Sequence, residues 1–345
     1  MTEGPLRRLE TFPPAYFALV MATGIVCVGA HLEEWETLSH ALAAVNLVAF
    51  AVLWVLTLIR LVRFPRAVRA DLSDFRRAPG FFTTVAGTAI VGTQAIVIHA
   101  RPQAAVVLWL VALSLWFVIT YGVFAGFTVA KDKPTLGAGI DGGWLTAVVA
   151  TQSVSVLAAL VSPSLQAWRA VVLFVSLWAW LSGGMLYIWL IGLIFYRWVF
   201  FAFEPSDLTP TYWINMGAMA ISALAGALLV MHASSEGFLA ALLPFLEGFT
   251  LFFWATATWW IPLLLVLGFW RHVTRRAALV YDPLYWGAVF PLGMYTVCTY
   301  QLAKAIRLPF LFWISHVFIY VALAAWTLAF IGLVRRLWQS WRPLR

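Results

Sequence analysis

Ten long apolar segments, separated by short polar connections, constrain this chain more than any other feature. A helix needs about 20 predominantly apolar residues to cross the hydrocarbon core of a bilayer, and each segment is close to that length or longer. The segments cover residues 12–31, 38–61, 81–99, 103–129, 143–161, 167–200, 211–231, 239–270, 285–305 and 310–338. The sequence therefore predicts an all-α integral membrane protein, with a single transmembrane domain over residues 1–345.

The composition excludes several other classes of protein. Hydrophobic residues make up 63% of the chain and charged residues 10%, against about 45–50% and about 25% in soluble globular proteins. The charged residues lie between the apolar segments, so the basic excess does not indicate nucleic-acid binding. Cys27 and Cys298 fall inside apolar segments, which is typical of buried core residues rather than of a disulfide or a metal site. We expect no metal and no cofactor.

Basic residues are distributed unequally between the two ends of the segments. Of the 22 Lys and Arg residues, those on one side are Arg101, Arg169, Lys304 and Arg307. The others share the side of the two termini. Cytoplasmic connections of membrane proteins carry the excess of Lys and Arg. The sequence therefore predicts a multi-pass protein of the cell membrane, plasma or inner, with both termini in the cytoplasm.

An opening motif recurs at the start of alternate segments. Pro14, Pro79, Pro210 and Pro283 are each followed by aromatic residues and then by a run rich in Gly, Ala, Ser and Thr, and Asp141 takes the corresponding place in the fifth segment. The even-numbered segments lack this opening and carry bulkier side chains. An even number of crossings separates the copies. The pattern therefore predicts five helical hairpins in a parallel repeat.

The two kinds of segment predict where each helix lies. Helices pack closely in a membrane where their side chains are small, so we expect the odd helices inside and the bulky even helices against lipid. A quasi-five-fold ring of ten transmembrane helices would then enclose a central pore. The N-termini of the five inner helices would converge on one mouth, and their dipoles favour an anion.

Several of these stretches resemble the tellurite-resistance/dicarboxylate transporter family. The resemblance is carried by residues 14–26, 141–152, 212–222 and 281–295, and extends over nearly the whole chain. This family includes TehA-like bacterial proteins, fungal malate and sulfite transporters and plant slow anion channels. The resemblance implies a homotrimer in which each subunit has its own pore. It also implies small anions as cargo: chloride, nitrate, sulfite or C4-dicarboxylates.

The resemblance further implies that a phenylalanine in the ninth segment blocks the pore at mid-membrane. Here that residue is Phe290, followed by Pro291. The repeat supports this role. The residues seven places after the five openings are Met21, Ala86, Val148, Gly217 and Phe290. Phe290 is the aromatic residue among them, and the other four are aliphatic or small. In the alternative interpretation, Phe290 packs at a proline kink against an outer helix.

Hydroxyl side chains in the odd segments are further candidates for the pore lining. They are Thr23, Thr88, Thr93, Thr151, Ser222 and Thr299. Their O–H groups could replace part of the water shell of an anion. Alternatively, they bond to carbonyl groups of their own helices, as Ser and Thr often do at membrane depth.

Glu247 is an acid inside a long apolar segment, and such a residue is a functional candidate. It could bind a proton that accompanies a dicarboxylate, or it could form a structural hydrogen bond.

The sequence favours a passive pathway for small anions gated near Phe290. The alternatives are a proton-coupled C4-dicarboxylate or sulfite transporter of the same fold and, remotely, an intramembrane enzyme, which would need clustered acids or His and Cys residues. We expect small anions, membrane lipid and further copies of the chain as partners, but no nucleic acid.

Overall fold

The helices of this protein follow one another with few residues between them. The computed structural model describes residues 9–341, with side chains up to residue 339, so the ends of the predicted domain lie outside the described residues. In chain order, the longer helices are α1 (Ala18–Leu32), α2 (Glu36–Arg63), α3 (Pro65–Ser73), α4 (Phe82–Val97), α5 (Pro102–Val129), α6 (Thr146–Val161), α7 (Arg169–Phe200), α8 (Ile214–His232), α9 (Leu243–Phe269), α10 (Trp286–Ala305) and α11 (Leu311–Trp341). Two shorter helices, Leu136–Gly139 and Gly237–Ala241, lie in connections.

Nine helical segments within residues 9–341 are long and apolar enough to cross a membrane. The chain is therefore an all-helical, multi-pass membrane protein over the part that the structure describes. The remaining predicted segment, the ninth, at 285–305, forms α10, a helix of 20 residues that includes Pro291. Its Thr, Tyr, Gln and Lys residues make it less apolar than the other nine. The predicted segment 239–270 is interrupted at Leu242, because Pro244 allows a new helix to start there but not an old one to continue.

Each helix with the recurrent opening begins with a turn of 3-10 helix. These turns are Pro14–Phe17, Ala78–Phe81, Gly142–Leu145, Pro210–Trp213 and Pro283–Tyr285. Proline suits a first helical position, since its φ is already helical and its missing N–H would have no helical partner there. Where proline is absent, Asp141 caps the turn, and its carboxylate accepts a hydrogen bond from the Gly143 amide.

The five helices that follow these turns contact one another in a closed cycle. In the order of contact they are α1, α4, α6, α8 and α10, and α10 returns to α1. We call them the inner helices. Each of the five outer helices, α2, α5, α7, α9 and α11, packs against the inner helix before it and also against the next inner helix in the cycle. These contacts agree with the predicted inner and outer layers, whereas the five-fold repeat symmetry itself stays a prediction.

Burial separates the two layers as well. In four of the inner helices, between 67% and 94% of the apolar window is buried inside the protein, against 17–50% in the outer helices. Glycine lies at four of the five contacts between inner helices, where a Cβ would come within 2.9 Å of the facing side chain: Gly24 against Ile90, Gly92 against Leu157, Gly217 against Pro291, and Gly293 against Ile25. The absence of a side chain therefore sets how closely these helices approach.

Candidate functional site

A cavity of about 490 Å³ lies at the end of the ring where the inner helices begin. We call it the vestibule. All five opening turns or the helices behind them contribute to its wall, and its deepest residues include Met21, Thr83, Thr146, Ile214 and Phe290. The chain thus brings five helix N-termini together around one polar entrance, as the repeat predicted. An anion there would meet the positive ends of the helix dipoles.

A second, smaller cavity lies further along the same five helices. It has a volume of about 40 Å³, and each inner helix contributes to its lining. Its residues include Ile25, Ala89, Ser153, Ile221 and Met294. We call it the distal cavity. Because the same five helices line both cavities, the two lie one above the other inside the ring.

A partition of side chains separates the vestibule from the distal cavity and is thinnest on α1 and α10. The vestibule ends at Met21 and Phe290, and the distal cavity begins four residues later on the same helices, at Ile25 and Met294. Four residues of α-helix rise about 6 Å. On these two helices the partition is therefore about one turn thick.

Phe290 lies at the vestibule face of this partition. Its side chain is 2% exposed, and Pro291 follows it inside α10. Proline removes one backbone hydrogen bond and bends a helix. The structure therefore brings Phe290 and Met21 together at the deep end of the vestibule, on helices α10 and α1.

The other residues predicted at this level lie between the two cavities along their helices. Ala86, Val148 and Gly217 are buried but line neither cavity. A Cβ on Gly217 would lie 2.7 Å from Cγ of Pro291, so this position faces the neighbouring helix. Gly217 packs in the α8–α10 contact, because only glycine leaves room there for the proline ring.

Three of the predicted pore-lining hydroxyls instead accept hydrogen bonds from outer helices. Nε1 of Trp326 donates to Oγ1 of Thr23 at 3.0 Å, and Nε1 of Trp116 donates to Oγ1 of Thr151 at 2.7 Å. In the same way, Nε1 of Trp254 donates to Oγ1 of Thr299 at 2.9 Å. A buried indole N–H requires an acceptor, and none of the three threonines lines the vestibule or the distal cavity; their pore-lining role stays a prediction.

The remaining hydroxyls bond within their own helices. Thr88 donates to the carbonyl of Thr84 at 2.7 Å, Thr93 to that of Ala89 at 3.1 Å, and Ser222 to that of Ala218 at 2.7 Å. This is the alternative that the sequence left open. Of the predicted hydroxyls, Thr93 is the one that lines the distal cavity.

Two threonines that the sequence interpretation did not single out lie in the vestibule. Oγ1 of Thr83 donates to the carbonyl of Pro14 at 3.1 Å, and Oγ1 of Thr146 donates to the carbonyl of Pro79 at 2.6 Å. Each bond links the start of one inner helix to the opening turn of the previous one. The sequence did contain a signal for them: Thr83 follows Pro79 by four residues, and Thr146 follows Asp141 by five.

Charged side chains lie around the vestibule. Arg76, Arg77, Arg336, Asp141 and Asp282 all contribute to its wall. The two carboxylates cap helical turns, and that of Asp282 accepts a hydrogen bond from the Leu284 amide at 2.8 Å. Their charges are therefore partly satisfied by the backbone, and the three guanidinium groups give the wall a net positive charge.

Two of these arginines are held by neighbouring groups. Nε of Arg77 lies 2.6 Å from Oδ1 of Asp71, which also pairs with the buried Arg60 at 2.6 Å. Nε of Arg76 donates to the carbonyl of Ala138 at 2.8 Å. These contacts with Asp71 and the Ala138 carbonyl fix the position of both arginines beside the vestibule.

Asp141 is a titratable residue of the vestibule whose pKa is shifted by its surroundings. It lies just outside the membrane-spanning part of its helix. Burial raises the pKa of this carboxyl above its ordinary value, while the Gly143 amide and the charges of Arg76 and Arg197 act against that rise. The carboxylate of Asp141 therefore accepts a proton at a less acidic pH than an exposed aspartate does.

Glu247 does not belong to this site. It is half-buried near the start of α9, an outer helix, and lines neither the vestibule nor the distal cavity. Among the residues with described side chains, no three His, Cys, Asp or Glu are grouped so that they could hold a metal ion.

Comparison with known proteins agrees with this architecture. The profile of the family described as "Voltage-dependent anion channel" matches residues 11–334. An uncharacterized membrane protein of Mycobacterium tuberculosis is 39% identical over 152 residues, which is 44% of this chain and 77% of that protein. Two uncharacterized transporters of Methanocaldococcus jannaschii are 22% and 23% identical, over 96% and 98% of this chain and 96% and 97% of their own lengths.

The family profile extends from the opening turn of α1 into α11, so it includes all five inner helices, the vestibule and the partition. It confirms the family that the sequence motifs indicated, and supports a role in membrane anion transport. This chain belongs to the voltage-dependent anion channel family.

Proposed function

We propose that this protein is a passive pathway for small anions such as chloride or nitrate, and that Phe290 closes it. The observation that carries the proposal is the pair of cavities inside one ring of helices, separated by a partition that is about one helical turn thick on α1 and α10. An anion enters the vestibule, attracted by arginine side chains and helix N-termini. Its electrochemical gradient drives it onward.

The closed state follows from the chemistry of the partition. Met21 and Phe290 face the vestibule, and Ile25 and Met294 face the distal cavity. A hydrated anion would have to give up water there without gaining a polar partner, which is unfavourable. Hydrophobic constrictions of this kind block ions by excluding water. Rotation of the Phe290 ring opens the pathway.

Two features of the assembly belong to the same proposal. The vestibule opens to the cytoplasm, because the connections on its side carry most of the basic residues. Three copies of the chain assemble in the cell membrane, each with its own pathway, as the family resemblance implies.

The test of the gate is anion flux through liposomes that contain the purified protein. We expect Phe290→Ala to raise chloride and nitrate flux by about tenfold or more, since tenfold corresponds to about 1.4 kcal/mol of barrier. Phe252→Ala is the matched control, because that phenyl ring is 51% exposed on an outer helix. Unchanged flux in a correctly folded Phe290→Ala protein would overturn the gate.

The same liposomes separate passive from proton-coupled transport. We expect Glu247→Gln to leave both anion flux and its response to a pH gradient unchanged, because the Glu247 carboxylate lines neither cavity. Loss of pH-driven uptake of a C4-dicarboxylate in this variant, with electrogenic flux preserved, would instead favour a coupled transporter.

A further inference from the structure

A groove of about 850 Å³ runs along the side of the protein, outside the ring. Its walls are the connection before α10, the first turns of α10 and the second half of α11. The lining residues are Leu279, Val280, Tyr281, Tyr285, Ala288, Val289, Ala325, Leu328, Ala329, Ile331, Gly332, Arg335, Arg336 and Gln339. Arg336 lines both the groove and the vestibule.

Most of the groove is apolar and open toward lipid. Leu279, Val280 and Leu328 on its rim are 75%, 70% and 71% exposed. Its floor includes Gly332, where a Cβ would lie 2.3 Å from the ring of Tyr281. The ring of Tyr281 therefore lies directly on α11, and the groove is a built feature of the helix packing.

The length of the apolar part matches one leaflet of a bilayer. Ten residues of α11 separate Ala325 from Arg335, which is about 15 Å at 1.5 Å per residue. The hydrocarbon core of a bilayer is about 30 Å thick, so half of it has the same depth. A fatty acyl chain that lies in the groove would end near its apolar floor, while its headgroup reaches the arginines.

The end of the groove near the membrane surface is basic. Arg335, Arg336 and Gln339 lie there, and the two arginines form no ion pair with any carboxylate whose side chain the structure describes. None of the residues that line the groove is acidic. Oη of Tyr281 accepts a hydrogen bond from Nε1 of Trp286 at 3.2 Å, so its own proton remains for another acceptor. These groups suit a phosphate, because two guanidinium forks can bind its oxygens.

We propose that this groove is a binding site for an anionic phospholipid. The phosphate binds Arg335 and Arg336, and the acyl chains lie along the apolar wall between α10 and α11. Basic pockets between membrane helices near the membrane surface bind acidic headgroups in this way. A zwitterionic lipid would fill the same wall but would leave the two positive charges less well compensated.

Native mass spectrometry of the full chain in detergent tests the site. The protein is titrated with dioleoylphosphatidylglycerol and, separately, with dioleoylphosphatidylcholine. We expect tighter binding of phosphatidylglycerol to the wild type, and a loss of that preference by about tenfold in the double variant Arg335→Gln/Arg336→Gln. The matched control is Arg63→Gln/Arg66→Gln, which removes two exposed arginines from the same membrane side and should keep the preference.

Two further variants separate the parts of the ligand. Arg335→Lys/Arg336→Lys keeps both charges and should keep most of the preference, even if the glutamine variant folds poorly. Ala325→Trp fills the apolar end and should weaken the binding of both lipids. Inorganic phosphate should not displace phosphatidylglycerol, since it lacks acyl chains.

Three results would overturn the proposal. The first is an unchanged preference in a folded Arg335→Gln/Arg336→Gln protein. The second is full displacement of the lipid by inorganic phosphate, which would indicate a plain anion site. The third is a change in the number of copies per complex caused by Ala325→Trp without any change in lipid binding, which would indicate that another subunit covers the groove. The readout is lipid binding, so these results do not depend on the gate at Phe290.

Discussion

At the scale of single residues, hydrogen bonds from the indole N–H groups of outer helices are a regular feature of this protein. Three of these bonds end on threonine hydroxyls, and a fourth runs from Nε1 of Trp180 to the carbonyl of Ser222 at 2.8 Å. In the remaining outer helix, α2, the amide of Asn46 donates to Oε1 of Gln94 at 2.8 Å. All five bonds run from an outer helix to the next inner helix. They tie the two layers together where lipid offers no alternative acceptor.

Two tryptophans of α5 allow the contribution of such a bond to be measured. Trp116 donates to Thr151, whereas the buried Nε1 of Trp109 has no partner in the described structure. We expect Trp116→Phe to lower the free energy of unfolding by about 0.5–1.5 kcal/mol more than Trp109→Phe does, because only the first variant loses a hydrogen bond. Thermal unfolding in detergent measures the difference. Equal costs would contradict the assigned role of the indole bond.

Asp141 makes a separate prediction about pH. Burial raises the pKa of its carboxyl from the ordinary value of 3.8, so the carboxyl takes up a proton at a higher pH than an exposed aspartate does. Lowering the pH on the vestibule side from neutral therefore neutralises this carboxylate before it neutralises exposed aspartates. We expect anion flux through Phe290→Ala to rise by a factor of about two to ten as a result.

Variants of Asp141 and of Glu204 provide the controls for this measurement. Asparagine also caps helical turns, so Asp141→Asn should fold and should abolish this component of the pH dependence. Glu204→Gln should keep it, because Glu204 is exposed in a connection on the same side. A pH response that is identical in Asp141→Asn and in the parent would exclude Asp141 as its source.

At the scale of helices, the contact between α8 and α10 depends on the absence of a side chain at Gly217. A Cβ there would lie 2.7 Å from Cγ and 3.2 Å from the backbone Cα of Pro291. We expect Gly217→Ala to destabilise the protein by about 1–3 kcal/mol, because the two helices must separate. Gly248→Ala on α9 is the matched control, since no atom lies within 4 Å of its Cβ position. It should be neutral or stabilising by up to about 1 kcal/mol. Equal melting temperatures for the two variants would contradict this prediction.

The inner helices also explain which parts of the site the sequence could predict. Pro14, Pro79, Pro210 and Pro283 mark helix starts through backbone chemistry, so the five openings and their shared side were readable. The direction in which Thr23 or Gly217 points depends on the rotation of each helix about its axis. An amphipathic helix reveals that rotation by its apolar face. The inner helices are buried on nearly every side, so their sequences contain no such signal.

At the scale of the whole molecule, the predicted orientation can be tested with the cysteines of the chain. Cys27 and Cys298 are both buried, so neither should react with a membrane-impermeant thiol reagent. We expect Ser234→Cys to be labelled in intact cells and Ser206→Cys to be labelled only after the cells are opened, because these exposed residues lie at opposite ends of α8. The reverse pattern would place the vestibule outside the cell.

The fold as a whole was the most predictable level. Apolar length fixes the number of crossings within a narrow range, and small side chains indicate which helices lie inside. The membrane therefore determines the layers, whereas the pairing of particular side chains between layers depends on distances that no single segment encodes. The bond between Trp326 and Thr23, which joins the two ends of the chain, is of this kind.

The depth of the vestibule has an electrical consequence. An open, water-filled vestibule carries the potential of the solution deep into the membrane, so the membrane voltage falls mainly across the stretch beyond it. A voltage of 100 mV is equivalent to about 2.3 kcal/mol for one elementary charge. When that drop is confined to the part of the membrane beyond the vestibule instead of the whole bilayer, the local field there is stronger. An ion that moves past Phe290 therefore enters the stretch over which most of the applied voltage falls.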